Sequence, residues 1–126
     1  MNVVDSSGWL EYLADGPNAG FFAAALEDTG GLLVPTISVY EVFRRVLVQR
    51  GEPAALQAAA LMYQGRLLAL SPETALAAAR LGVAHRLPLA DSIMLASARE
   101  HGATLWTQDA DFEDMAGVRF KAARRG

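Results

Sequence analysis

Residues 89–112 read LADSIMLASAREHGATLWTQDADF, and the fold is decided here. From Asp91 to Glu100 the chain is apolar almost all round, through Ile93, Met94, Leu95, Ala96 and Ala98, which predicts a helix buried among neighbours rather than laid on a surface. Gly102 ends that helix, Ala103-Thr104-Leu105-Trp106 is a short strand, and Thr107 to Asp111 is a polar loop. A buried helix feeding a short apolar strand is the repeating unit of layered α/β architecture.

The same alternation extends outward in both directions. Asn2 to Asp5 is a short apolar strand, Ser7 to Ala14 a helix that stops at Gly16, and Asn18 to Asp28 a second helix. Gly30-Gly31 leads into the strand Leu32 to Pro35. A helix from Ser38 carries the stripe Val39, Val42, Phe43, Val46 and Leu47 before Gly51. Glu52 to Tyr63 and Pro72 to His85 are further helices, the second with Ser71 at its N-cap and Pro72 at N1, separated by the strand-like Leu67 to Leu70. Val118 to Phe120 is a last edge strand. Alternating strands and helices imply right-handed crossovers and a mostly parallel central sheet flanked by helices, in one domain spanning residues 1–126.

Composition narrows the chemistry. The 126 residues hold 14 Asp+Glu against 11 Lys+Arg, a formal charge of −3, and are 52% hydrophobic. That apolar fraction excludes disorder, and no uncharged run reaches the ~20 residues a membrane helix needs. With no cysteine, disulfides, thiolate zinc sites, iron–sulfur clusters and cysteine nucleophiles are all excluded. Any metal is held by oxygen or by the two histidines. Met1-Asn2-Val3-Val4-Asp5 has neither a basic nor a long apolar leader, so the expected location is cytoplasmic. The basic residues are ten Arg and one Lys, and Arg is the better bidentate phosphate ligand.

In parallel sheets ligands bind beyond the carboxyl ends of the strands. Asp5 ends the first strand, Asp109 follows the strand ending at Trp106, and Glu41 and Asp91 lie in the first turns of two helices, with Asp111 close behind Asp109. Each acid also has a purely structural reading. Asp5 caps the next helix, Glu41 completes a capping box with Ser38, Asp91 meets a helix dipole, and Asp109 and Asp111 are turn residues. Together they are harder to dismiss, since carboxylates converging on one edge repel unless a cation is present. Mg²⁺ or Mn²⁺ suits an all-oxygen site, and phosphodiester hydrolysis by a metal-activated water is its natural chemistry.

Four segments carry a family resemblance: Val3-Val4-Asp5-Ser6-Ser7, Ile37-Ser38-Val39-Tyr40-Glu41-Val42, Leu89-Ala90-Asp91-Ser92-Ile93-Met94-Leu95-Ala96, and Thr104-Leu105-Trp106-Thr107-Gln108-Asp109-Ala110-Asp111-Phe112. Together they resemble a PIN-domain ribonuclease of the VapC toxin type, and the Thr-x-Asp-x-Asp-Phe run is the most specific. The resemblance implies a three-layer, PIN-like α/β fold with a Rossmann-like parallel sheet, Mg²⁺-dependent RNA cleavage, a homodimer, and inhibition by a cognate VapB-like antitoxin. Carried over by position, Asp5, Glu41, Asp91 and Asp109 match the family's acidic quartet, Asp111 its auxiliary acid, and Ser6 and Thr107 its hydroxyls. The implied metal ligands are Asp5, Asp91 and Asp109, joined by Glu41 and Asp111.

Arg44 and Arg45, at i+3 and i+4 from Glu41, and Arg86, before Asp91, are candidate RNA contacts; the plain alternative is an ion pair with Glu41 for the first two and a solvated charge for the third. The basic tail Lys121 to Arg125 reads either as an RNA guide or as a loose end. His85 and His101 suit helix C-termini, and Phe112 reads as a loop anchor. Trp9, Leu10, Leu13, Phe21 and Phe22 are candidates for an apolar antitoxin groove, and Phe21, Phe22, Met62 and Tyr63 for a dimer or antitoxin surface, with core packing as the competing account. Two other functions stay open: a catalytically silent PIN-fold binding module, and a housekeeping RNA-processing nuclease without an antitoxin. A phosphorelay receiver is disfavoured because the only Lys is Lys121, and a haloacid-dehalogenase-like phosphatase because Ser7 stands where its second Asp belongs.

Overall fold

Five strands, β1 (Asn2–Val4), β2 (Leu32–Pro35), β3 (Arg66–Leu68), β4 (Thr104–Thr107) and β5 (Val118–Phe120), form one sheet in a computed structural model that describes residues 1–124. Their order is β3-β2-β1-β4-β5, and every neighbouring pair is parallel. Six helices, α1 (Ser6–Leu13), α2 (Ala19–Leu26), α3 (Thr36–Arg50), α4 (Glu52–Met62), α5 (Pro72–His85) and α6 (Leu89–Glu100), connect them. The expected α/β sheet is therefore present, and its parallel pairing is complete.

Side chains alternate across each strand, so each strand feeds two cores. Val4, Leu32, Val34 and Trp106 point to the layer that holds Trp9, Phe22, Val42, Val46 and Met62 from the first four helices. Val3, Leu33 and Leu105 point to the opposite layer, with Met94, Leu95 and Ala98 of α6 and with Phe112. Seven consecutive residues of α6, Ser92 to Ala98, are buried, as its all-round apolar sequence predicts. Gly8 allows α1 to lie close in. A Cβ there would stand 2.6 Å from both Phe22 and Val4.

Several boundaries differ from the sequence reading by one or two residues, the start of α6 at Leu89 rather than Asp91 among them, and three stand out. Helix α3 begins at Thr36 with Pro35 at its N-cap, two residues before Ser38. The Ser38 hydroxyl, inside the first turn, donates to the Pro35 carbonyl at 2.7 Å. The expected Ser38–Glu41 capping box therefore does not form, and the Glu41 carboxylate is available elsewhere. Strand β3 starts at Arg66 and stops at Leu68, since its partner β2 ends at Pro35, the residue opposite Leu68. Thr107, expected in the loop, is the last residue of β4. The Ser71 cap of α5 is as expected, accepting from the Thr74 amide at 3.1 Å.

Candidate functional site

The strand order turns at β1, with β2 and β3 to one side and β4 and β5 to the other. Crossovers leave such a switch point in opposite directions and open a crevice beyond the carboxyl ends of its strands. Asp5 immediately follows β1, and Asp109 lies two residues past β4. Asp91 enters from the first turn of α6 and Glu41 from α3.

Asp5 is buried and fully engaged. Its Oδ1 accepts from the Gly8 amide at 2.8 Å and from the Ser7 hydroxyl at 2.9 Å, and its Oδ2 accepts from the Thr107 hydroxyl at 2.5 Å. The helix-capping reading of Asp5 and the site reading are thus both realised, because the cap of α1 and the end of β1 are the same position. Burial pushes the Asp5 carboxyl above the usual carboxylate range; the three hydrogen bonds oppose the shift and Asp109 adds to it. Thr107 also accepts the Asp109 amide at 2.9 Å, so one hydroxyl fixes two acids of the crevice. Asp109 in turn accepts from the Asp111 amide at 2.9 Å, capping a 3-10 turn over Ala110–Phe112 that the buried Phe112 ring pins to the core.

Asp91, Asp109 and Asp111 each bring a carboxylate oxygen within 4.8 Å of the others. Asp5 and Glu41 are not part of that tight group. Glu41 accepts from the Ser6 hydroxyl at 2.6 Å. All four neighbours nevertheless act on Asp91: burial first, then the charges of Asp109, Asp5, Glu41 and Asp111, push its carboxyl up to about 7. Asp91, Asp109 and Asp111 are close enough together that they could hold a metal ion.

The other expected residues divide. Arg44 and Arg45 line the same cleft as Ser6, Ser7, Glu41 and Asp91. Arg86 is exposed at the end of α5 in a left-handed conformation, φ 56°, and is not among the residues lining the cleft. Trp9 and Phe22 belong to the core, and Phe21 packs edge-on against Phe22 at 5.0 Å and tilted against Trp106 at 5.1 Å, so these rings form no open groove. His101 caps α6 with its Nδ1 2.9 Å from the Ser97 carbonyl, the structural part expected of it. In the basic tail, the Lys121 amide donates to the Thr107 carbonyl at 3.1 Å, while Arg125 lies outside the described residues.

Sequence reasoning passed over Asn18 and Gln108. Buried Asn18 donates from Nδ2 to the Gln108 Oε1 at 3.0 Å and to the Ala122 carbonyl at 2.9 Å. Partners 90 and 104 positions away leave no local signal.

Fold and acids together define a doubly wound parallel α/β protein whose carboxylates converge at the switch point of the sheet. The model of the PIN domain family matches residues 3–118, and the chain belongs to that family. No curated protein matches it by sequence. Its structure is similar to that of a toxin–antitoxin complex from Klebsiella pneumoniae, with TM-score 0.77, 22% identity, and 94% of this chain and 96% of that one covered. It is similar to Mycobacterium tuberculosis VapC20, a sarcin–ricin-loop-cleaving toxin, with TM-score 0.77, 18% identity and coverage of 92% and 95%. The DNA-bound VapBC of Salmonella typhimurium matches with TM-score 0.74 and 12% identity over 97% of each chain.

Proposed function

We propose that this PIN protein is a Mg²⁺-dependent endoribonuclease, with Mn²⁺ as a substitute, and the toxin of a VapBC-like pair. The observation that carries the reading is the meeting of Asp91, Asp109 and Asp111 beside buried Asp5 at the sheet's switch point in a PIN-family chain. The donor set fits a hard divalent cation: all ligand atoms are carboxylate oxygens, and burial together with four neighbouring acids raises the Asp91 carboxyl, a strain that a cation relieves. Asp91, Asp109 and Asp111 would hold the ion, with Asp5 and Glu41 flanking it. When bound, such an ion activates water and offsets charge on the phosphate under attack.

The chain's own residues do the rest. Thr107 holds Asp5 and Asp109 in register with one hydroxyl, and Ser6 fixes the Glu41 carboxylate. Arg44 and Arg45 line the wall of the cleft and would pair with backbone phosphates of an RNA strand. No side chain is required as nucleophile. RNA cleavage in Mg²⁺, absent in excess chelator and absent in Asp91→Asn, tests the proposal. Cleavage that survives chelator refutes it, and a folded wild type without nuclease activity favours the silent binding module instead.

The structural relatives named as toxin–antitoxin and VapBC assemblies support a VapB-like antitoxin as partner, while the homodimer and the cytoplasmic setting belong to the same proposal and rest on the family resemblance alone. Among the described residues no helix is long and apolar enough to cross a membrane. Trp9 and Phe22 are taken by the core and Leu10 and Leu13 line the concavity between α1 and α3, while an open apolar surface lies between α3 and α4, a concavity of about 410 Å³ lined by Val39, Tyr40, Phe43, Leu56 and Tyr63 among others. The antitoxin's apolar segment would lie there and a basic side chain would enter the acids, displacing the ion. Copurification with the neighbouring small reading frame's product, and loss of RNA cleavage in the complex, tests that part. A complex that cuts as fast as the free chain refutes occlusion.

A further inference from the structure

A second concavity, about 370 Å³ between α1 and α3, adjoins the acidic cleft, and the two share Ser7, Leu10 and Arg45 in their walls. The groove is thus within reach of a nucleotide next to a phosphate held at the acids. Gln108, the residue between Thr107 and Asp109, is one of the groove's lining residues.

The orientation of the Gln108 amide is fixed by its neighbour. Asn18 Nδ2 donates to the Ala122 carbonyl, which can only accept, so the atom Asn18 presents is its amide nitrogen. The atom of Gln108 that faces this nitrogen at 3.0 Å must then be its oxygen. The Gln108 NH₂ group, with two donors, is not used by Asn18, and Gln108 lines the groove. Asn18 is fully buried and its own Oδ1 has no hydrogen-bond partner among the described residues. A buried oxygen left unpaired is uncommon, and Asn18 is held there for its donors, which aim Gln108.

Resting on the ribonuclease reading, we infer that Gln108 determines sequence specificity: its amide NH₂, aimed by Asn18, donates to an acceptor on the base next to the scissile phosphate. Base edges of single-stranded RNA are open to such contacts, and a donor group discriminates by finding an acceptor or failing to. Arg45 and Arg50, which line the same groove, hold the backbone and are indifferent to sequence.

The test is cleavage of a randomised single-stranded RNA pool in Mg²⁺ by the wild type, Gln108→Met and Gln108→Glu, with cut sites read by sequencing. Gln108→Met keeps the length of the side chain and removes its donors, so the wild-type base preference at the flanking position should flatten by about three- to tenfold, the worth of one neutral hydrogen bond. Gln108→Glu keeps the oxygen that Asn18 holds and turns the outward donor into an acceptor, so preference should move towards bases presenting an amino group. The Mg²⁺-dependent rise in melting temperature of Gln108→Met should equal that of the wild type. Unchanged preference in both variants, a uniform loss of rate at every sequence, or a lost metal response in Gln108→Met each overturns the inference. A wild type that cuts nothing in the pool refutes the ribonuclease reading itself, which is a separate result.

Discussion

Replacing Asp91 with Asn should stabilise the metal-free protein at neutral pH and abolish its response to Mg²⁺. The Asp91 carboxyl stands at about 7 against an ordinary 3.8, raised by burial and by four neighbouring acids. Full conversion of that displacement would give roughly 4 kcal/mol, at 1.36 kcal/mol per pH unit. Asp91 is only half buried, and solvent screening on its open side brings the expected value to ~1–2 kcal/mol. The sign follows from proton binding. Below pH ~4 Asp91 is protonated in both folded and unfolded chains and costs nothing. As pH rises from ~4 to ~7 the unfolded chain has already released its proton and the folded one has not, so the folded state loses stability; above ~7 the full penalty is present. The amide in the Asp91→Asn variant cannot ionise and escapes the decline. In chelator, thermal melts of wild type and Asp91→Asn should coincide near pH 4, and the variant should melt roughly 4–8 °C higher near pH 8. Millimolar Mg²⁺ should raise the wild type's melting temperature at pH 8 and leave the variant unmoved, because a ligand bound only by the native state adds stability. A variant that melts lower than wild type at pH 8, or by the same margin at pH 4 and pH 8, refutes the reasoning.

Asp5→Asn should keep the fold, since an amide can still accept from Gly8 and donate to Thr107, yet lose nearly all RNA cleavage; Asp5→Ala strands both partners and should cost about 1–3 kcal/mol, read by denaturant melts. Retained cleavage in Asp5→Asn would count against its place at the site. Gly8→Ala forces a methyl to within 2.6 Å of Phe22 and Val4 and should destabilise by about 1–3 kcal/mol; a neutral effect would mean that α1 shifts freely. Phe112→Ala empties a fully buried site and should cost about 3–5 kcal/mol, with Mg²⁺ affinity falling as well, because the turn bearing Asp109 and Asp111 loses its anchor. Loss of stability with full metal affinity would separate that turn from the site.

Most of the architecture was legible because it rests on local chemistry. Alternating short apolar runs and amphipathic segments, Gly and Pro at their borders and an all-round apolar α6 predict each strand and helix, with end errors of at most two residues. The ends went wrong where a tertiary partner decided them, as where β2 ends at Pro35 and limits β3 to Leu68, and where Pro35 rather than Ser38 starts α3. The acids were legible from their places just beyond strands and near helix starts, which is where a parallel sheet puts its ligands, although Glu41 falls in the second turn of α3 and not the first, because that helix starts at Thr36.

What the sequence determined alone is therefore the list of elements, the parallel sheet and the five acids at its edge, because periodicity and strand-to-helix turns are set within a few residues. Only the tertiary structure decided which acids meet. It drew Asp91, Asp109 and Asp111 into one group and tied Asp5 to Thr107, 102 residues away, and Glu41 to Ser6. It likewise sent Trp9 and Phe22 into the core, opened the apolar face between α3 and α4 instead, and set Asn18 against Gln108. Each of these depends on strand order and on how helices pack across the sheet, and hydrogen bonds between positions so far apart leave no periodic trace in the chain.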